Sequence, residues 1–237
     1  MELTKVQEQI FTKQDILYIK RYHHLIDMGS ETTCYNMNAK QVIKFFDMGI
    51  TDPNNKLFIP DDIYGNNTFV FVDAIQKYCN RIISYTMKLV TGKKLGTNDS
   101  LKLFYDLSYN MLLEYISTLL QDCKDIANHG IQAYDCYKSN IILSPTGFKQ
   151  IDCVDFNLQD SDPSLIEKEN ISLMCQTIWD NLISPYLATF IVNNKLRPEE
   201  FAKSPYEFIQ ELKKISQQQS DTEIITLNDT KRLSRKK

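Results

Sequence analysis

Three oxygen-bearing side chains are spaced around a short apolar segment in the middle of the chain. Asp135 precedes Asn140 by five residues in YDCYKSNIIL, and the next strand-like stretch, FKQID, ends at Asp152. A carboxylate can accept the proton of a hydroxyl group, and carboxylate and amide oxygens are the hard ligands that Mg²⁺ prefers. The plainer alternative is that Asp135 and Asn140 cap turns in an unrelated loop.

The elements that precede this segment have the pattern of a sheet. Residues 22–46 indicate a hairpin, with HHLIDM and QVIKFF as strands and GSETT as the turn. Residues 47–67 are rich in Asp, Asn, Pro and Gly, which predicts a loop with at most a short helix. NTFVFVDAI and RIISYTMKLV are rich in β-branched and aromatic residues, which favours two more strands, joined through QKYCN. We therefore expect residues 22–90 to be mostly sheet.

After the linker Val90–Leu95 the periodicity changes to that of helices. Apolar residues recur at helical spacing from Asn98 to Asn128, and His129-Gly130 provides a stop. NIILS and FKQIDC predict two short strands around the turn SPTG. Further helices are expected over 169–190 and from the prolines of RPEE and SPYE. Residues 91–237 are thus predicted to be mainly helical, with one small hairpin.

The chain resembles the protein kinase-like superfamily, in particular its small bacterial serine/threonine kinase-like members. The resemblance lies in the order of a sheet, a linker and a helical part that carries Asp135, Asn140 and Asp152. The resemblance implies an α+β, two-lobed fold with a small antiparallel β N-lobe and a mainly helical C-lobe. The lobes would be residues 1–90 and 91–237 of one kinase-like domain.

The resemblance also implies a role for each residue of the segment. Asp135 would orient or deprotonate the acceptor hydroxyl, while Asn140 and Asp152 would bind Mg²⁺ or Mn²⁺. Asp155 is a second candidate for the metal role. Lys44 in QVIKFF matches the strand lysine that contacts the phosphates of ATP. The alternative for Lys44 is a plain surface lysine on an edge strand.

The nucleotide-binding residues implied by the resemblance lie in two upstream stretches. LIDMGSETTCYNMN resembles the loop that covers the nucleotide, with Gly29 and Ser30 at its turn. YTMKLVTG resembles the strand and linker that contact adenine, with Met87 near the end of the strand and Lys88 to Val90 in the linker. Gly29 is equally compatible with an ordinary hairpin glycine.

Several positions depart from the kinase pattern. Asp27 stands where a loop glycine is expected, Ala133-Tyr134 replace His-Arg, and Cys153-Val154 replace Phe-Gly. The chain has no glutamate between Glu31 and Glu114, so the helix acid that would pair with Lys44 is missing. The aspartates that could replace it are Asp47, Asp52, Asp61, Asp62 and Asp73. About 18 residues are expected between Asp152 and the next helix, which makes a peptide-docking platform doubtful.

Three hypotheses for the function remain. The resemblance implies either an ATP-dependent phosphotransferase that acts on a hydroxyl of an unknown protein or small-molecule acceptor, or a pseudokinase that binds a nucleotide or a partner. In the third reading, every match is accidental and the chain is an α+β interaction protein of another kind.

Composition narrows the partners and the compartment. The formal charge of −3 gives no support to nucleic-acid binding, although the tail from Thr230 to Lys237 is basic. The chain contains no stretch of 18 apolar residues, so no membrane span is expected, and its polar start is unlike a signal peptide. The six cysteines form no CxxC pair, which is typical of reduced thiols in a cytoplasmic protein.

Overall fold

The largest element of the fold is a six-stranded sheet in the first half of the chain. The computed structural model describes residues 5–29, 31–51, 56–61, 65–185, 197–218 and 226. The sheet has the order β1-β5-β6-β4-β3-β2. Its strands are β1 (Gln7–Ile10), β2 (Leu25–Met28), β3 (Thr32–Asn38), β4 (Gln41–Ile50), β5 (Val72–Tyr78) and β6 (Arg81–Lys88).

The expectation of a purely antiparallel sheet is wrong at one edge. β1 pairs with β5 in parallel, with Gln7 opposite Ala74, so the sheet is mixed. The polar start of the chain, where no element was predicted, forms β1 and the helix α1 (Lys13–Tyr22). Thr12 and Asp15 form a capping box that fixes the first turn of α1.

The predicted hairpin over residues 22–46 is instead part of a three-stranded unit. TTCYNMN forms a full strand, β3, which pairs with both β2 and β4. β4 continues to Ile50, so the loop predicted over 47–67 begins later than expected. The β5–β6 hairpin turns at Cys79 and Asn80, whose positive φ angles of 49° and 59° fit a tight two-residue turn.

The side chains of β4 alternate between the two faces of the sheet. Ile43 and Phe45 pack against Ile19 of α1 on one face. Val42 packs with Met87 of β6 on the other face, to which Lys44 also belongs by the same alternation.

The second half of the chain is mainly helical, as predicted, but its helix boundaries differ. The helices are α2 (Asn98–Asp106), α3 (Tyr109–Asn128), α4 (Pro163–Ile178), α5 (Pro198–Lys203) and α6 (Pro205–Gln218). The single helix predicted over 98–128 is broken at Leu107, which is extended, and Ser108 caps α3. Gly130 has φ of 72°, as expected for a residue that ends a helix.

The helix predicted over 169–190 starts earlier, at Pro163, because Asp162 caps it there. The segment between Asp152 and this helix is therefore shorter than the 18 residues expected. A π-helical turn, Trp179–Ile183, follows α4, and residues 186–190 of the predicted helix lie outside the described part of the chain.

Short strands connect the helices around the middle of the chain. β7 (Lys93–Lys94), β9 (Ile141–Ser144) and β10 (Gly147–Gln150) form a three-stranded sheet, and β8 (Ile131–Gln132) pairs with β11 (Asn157–Leu158). The hairpin predicted around SPTG is present, but β10 ends at Gln150 and does not continue to Cys153.

The residues before β5 bind directly to the helical part of the chain. The carboxylate of Asp122 in α3 accepts the backbone N–H groups of Asn67 and Thr68, at 3.0 and 2.6 Å. The Val70 N–H donates to the carbonyl of Gln150 at 2.9 Å, and the Gln150 N–H donates to Thr68 at 2.7 Å. The start of β5 is thus joined to both α3 and β10.

Two further expectations concern thiols and membranes. All six cysteines are free, and four of them are buried. Among the described residues, no helix combines the length and apolar character needed to cross a bilayer.

Candidate active site

A cleft of about 910 Å³ collects the candidate residues from both halves of the chain. Every described residue to which the sequence assigned a site role lines it: Gly29, Lys44, Met87, Lys88, Val90, Asp135, Asn140 and Asp152. Ser30 lies outside the described residues. The structure therefore brings together residues that are more than 100 positions apart in sequence, while their chemical roles stay predictions.

Asp135 and Asn140 are bound to each other in the loop between β8 and β9. The Asn140 side-chain amide donates to the Asp135 carboxylate at 2.8 Å and to the Asp135 carbonyl at 3.1 Å. The Tyr137 N–H donates to the same carbonyl at 2.8 Å. These bonds hold Asp135 and Asn140, which are five residues apart in the sequence, against each other. Because the Asn140 nitrogen is used inside the loop and the Asn140 amide oxygen accepts only a long hydrogen bond of 3.5 Å from the Ser139 hydroxyl, that oxygen is the atom available to a ligand.

Both aspartates have a strained backbone. Four non-glycine residues of the described chain have positive φ angles, and two of these, Cys79 and Asn80, form a hairpin turn. The other two are Asp135, with φ of 55°, and Asp152, with φ of 66°. Such conformations cost about 1–3 kcal/mol each and cluster at functional sites. The strain therefore marks the same two residues that the sequence singled out for chemistry.

Asp152 is held from two sides. Lys44 forms an ion pair with its Oδ2, and the Tyr85 hydroxyl donates a hydrogen bond to its Oδ1. The Lys44 and Asp152 side chains are each only 16% exposed. Lys44 is therefore a cleft residue, and the alternative of a plain surface lysine is wrong.

The aspartates proposed as substitutes for the missing glutamate are placed differently. The carboxylate of Asp61 is paired with Lys88, and that of Asp73 accepts the Gln41 side-chain amide at 3.0 Å. Asp47 lines the cleft, whereas Asp52 and Asp62 lie outside the described residues. The described contact of the Lys44 ammonium is with Asp152, on the opposite side of the cleft.

Asp155, the rival of Asp152 for the metal role, also lines the cleft. It lies in the short 3₁₀ turn Cys153–Asp155 and forms an ion pair with Lys56. The Leu57 N–H donates to the Val154 carbonyl at 2.8 Å, so residues after β4 pack directly on this turn. Both aspartates are accessible to a ligand in the cleft, but only Asp152 combines the strained backbone with the Lys44 contact.

Burial and charge change the proton affinity of the cleft carboxylates. Burial raises the pKa of Asp135, and the negative charges of Asp155 and Asp152 raise it further, against the lowering effect of the Asn140 hydrogen bond. A carboxylate with a raised pKa is a better proton acceptor. At the mouth of the cleft, the hydrogen bond from Lys94 lowers the pKa of Asp27. The environment thus raises the proton affinity of Asp135.

The opposite end of the cleft is apolar. Val42, Met87 and Ile142 line it and are nearly buried, which suits the face of a flat ring. The Leu89 N–H donates to the carbonyl of Lys40, the residue before β4, at 2.8 Å, so this donor is already bonded within the protein. Since the Lys88 ammonium is bound to Asp61, this lysine would meet a ligand in the cleft through its backbone.

The donor set fits Mg²⁺ or Mn²⁺. The Asp152 carboxylate and the Asn140 amide oxygen are hard ligands that line the same cleft. No group of three His, Cys, Asp or Glu side chains suited to a metal occurs within the described residues. A site of one carboxylate and one amide is incomplete by itself, so phosphate oxygens and water would have to supply the other ligands.

One supporting residue, Asn170, was not predicted from the sequence. Asn170 of α4 is fully buried, and its side chain accepts the Ala133 N–H at 2.7 Å and donates to the Ile131 carbonyl at 3.1 Å. It therefore clamps the backbone that leads into Asp135. An asparagine at an apolar position of a helix is the signal that could have revealed it.

Comparisons with known proteins give little beyond this geometry. No protein-family model matches the chain, and no curated protein matches it. Among solved structures, a twitchin kinase fragment from C. elegans, described as an autoregulated protein kinase with immunoglobulin domains, is similar at 12% identity and a TM-score of 0.43. The match covers 62% of this chain and 34% of that chain, so this chain spans about a third of its length. At this level the similarity establishes neither a family nor an activity.

Proposed function

We propose that the chain is a kinase-like phosphotransferase with two lobes, residues 1–90 and 91–237, on either side of the cleft. It would transfer the γ-phosphoryl group of ATP to a hydroxyl group of a protein or small-molecule acceptor. The observation that carries the proposal is the meeting of Asp135 and Asp152, both with positive φ, and Lys44 in one cleft.

The reaction uses Asp135 as the proton acceptor. The acceptor oxygen attacks the γ-phosphorus, the bond from that phosphorus to the β,γ-bridging oxygen breaks, and ADP leaves. The proton of the attacking hydroxyl passes to the Asp135 carboxylate, whose raised pKa suits this step. The Lys44 ammonium moves from Asp152 to the phosphate oxygens, where its charge offsets theirs.

The metal would be held by the Asp152 carboxylate and the Asn140 amide oxygen. Bound Mg²⁺ or Mn²⁺ neutralises charge on the phosphate groups. Asn140 also fixes Asp135 through its amide nitrogen, so one side chain sets the spacing between the metal ligand and the base.

Thermal unfolding tests the binding half of the proposal. ATP with Mg²⁺ or Mn²⁺ should raise the melting temperature by several degrees, because a ligand that binds only the native state stabilises it. The rise should need metal and disappear in Asp152→Asn. If Asp152→Asn keeps the metal requirement, the metal role moves to Asp155. The absence of a shift under every condition would refute nucleotide binding.

Transfer is tested separately with Asp135→Ala. This variant should keep the metal-dependent thermal shift and lose formation of ADP in the presence of a candidate acceptor. Turnover equal to that of the wild type would remove Asp135 from the catalytic role.

A pseudokinase is the second candidate, and one observation favours it. Lys44 and Asp152, which would meet the phosphates and the metal, are paired with each other. If that pair is permanent, the cleft binds a nucleotide without transferring phosphate or serves a protein partner. A metal-dependent thermal shift without ADP formation on any acceptor would support this alternative.

A further inference from the structure

Tyr85 is a buried tyrosine whose polar atom reaches the candidate active site. It lies in β6 directly opposite Lys44 of β4 and is completely buried. Its ring packs near Phe46 and Phe58, with centroids 5.5 and 6.3 Å away. A buried phenol needs a hydrogen-bond partner. Here that partner is the carboxylate of Asp152.

The two contacts of Asp152 use different oxygen atoms. Lys44 binds Oδ2 and the Tyr85 hydroxyl binds Oδ1. When Lys44 turns to the phosphates, as the proposed reaction requires, Asp152 loses one of these contacts. The hydroxyl contact comes from a strand in the middle of the sheet and does not depend on the nucleotide. It would keep the carboxylate oriented after Lys44 has left.

We propose that Tyr85 is a positioning residue for Asp152, which holds this carboxylate in the orientation that binds metal. The inference rests on the proposed function, because it assigns Asp152 the metal role.

The test compares ATP binding with and without metal. Isothermal titration of ATP is done in saturating Mn²⁺ and in EDTA, for the wild type and for Tyr85→Phe. Loss of a partner that orients a metal ligand costs about 10- to 100-fold in metal affinity. We expect Tyr85→Phe to weaken the Mn²⁺-dependent binding by about this factor and to leave binding in EDTA unchanged. A purely structural role would weaken both.

Tyr115→Phe is the matched control. Tyr115 is also buried, and its hydroxyl donates to the Pro145 carbonyl at 2.7 Å, outside the cleft. This variant also loses the hydrogen bond of a tyrosine hydroxyl, here one to a neutral carbonyl, and should bind ATP as the wild type does in both media. In an Asp152→Asn background, Tyr85→Phe should have no further effect on binding, because the hydroxyl acts through the carboxylate.

Three other results would overturn the inference, and the titrations distinguish them. Unchanged Mn²⁺-dependent binding in Tyr85→Phe shows that the hydroxyl does not position the ligand. Equal losses with and without metal, or loss of the folded state, show that it serves the core. If the wild type itself shows no metal-dependent ATP binding, the proposed function fails first and the inference with it.

Discussion

Asn170→Ala should both destabilise the chain and release the backbone that carries Asp135. The Asn170 side chain is fully buried and bridges the Ala133 N–H and the Ile131 carbonyl. Alanine removes both contacts and provides no polar atom in their place. The two backbone groups then lie in the interior with one partner fewer each.

The cost follows from the number of groups affected. A buried polar group left without its partner costs about 1–3 kcal/mol, so two groups cost about 2–4 kcal/mol if the carbonyl is partly compensated within its strand. For a chain of this size, 1 kcal/mol corresponds to about 2–4 °C in melting temperature. We therefore expect a decrease of about 4–16 °C.

Thermal unfolding followed by circular dichroism measures this decrease. Gln176→Ala is the control on the same helix, since the Gln176 side chain is exposed and contacts Asp180 one turn away. It should change stability by less than about 0.5 kcal/mol. If Asn170→Ala lowers the melting temperature no more than Gln176→Ala does, the clamp on the Asp135 loop does not contribute to stability and the reasoning is refuted.

Three further predictions concern the frame around the site. Gly92→Ala places a Cβ 2.4 Å from the Leu143 carbonyl oxygen and should lower the free energy of unfolding by about 3 kcal/mol. Gly65→Ala is the control, since its Cβ meets no atom within 4 Å and backbone strain alone should lower the free energy of unfolding by about 1 kcal/mol. Chemical denaturation compares the two variants. Burial raises the pKa of Asp122 above its ordinary 3.8, so the folded chain binds this proton more tightly than the unfolded chain does. The free energy of unfolding therefore falls as the pH rises from the unfolded-state pKa through the higher folded-state pKa. Asp122→Asn should therefore lose this fall in stability as the pH is raised above 3.8 in thermal melts, and an unchanged pH dependence would contradict the assignment. Thr12→Ala removes the cap of α1 and should cost about 1 kcal/mol by the same melts; no loss would mean that the cap is dispensable.

The candidate site could be predicted where its residues are neighbours in sequence. Asp135 and Asn140 belong to one local loop, so their spacing of five residues is visible in the sequence, although the hydrogen bond between them is not. Tyr85 and Asn170 could not be assigned in this way. A tyrosine in a strand and an asparagine in a helix are common, and only folding shows that each meets a group far away in the chain.

The fold was predictable where hydrophobic periodicity is strong. Most of α3 follows from apolar spacing. The break before it was hidden, because Leu107 continues the apolar pattern although its backbone is extended. β1 is exposed along its whole length and has no alternation to reveal it. The signal that was available for α1 is the capping box of FTKQD, in which Thr12 precedes Asp15 by three residues.

The attachment of residues 67–70 to α3 and β10 determines how the cleft can open. Since residues 67–70 are bonded to the helical part, the sheet is fixed there, whereas β2, four strands away, meets the second half of the chain through the exposed ion pair between Asp27 and Lys94. A rotation of the sheet about this point displaces each strand more than the one before it. The turn at Gly29 then travels farthest and the ion pair between Asp27 and Lys94 has to break, while Asp152, which follows β10, stays with the helical part. Such a rotation would lift the outer rim of the cleft without displacing Asn140 or Asp152.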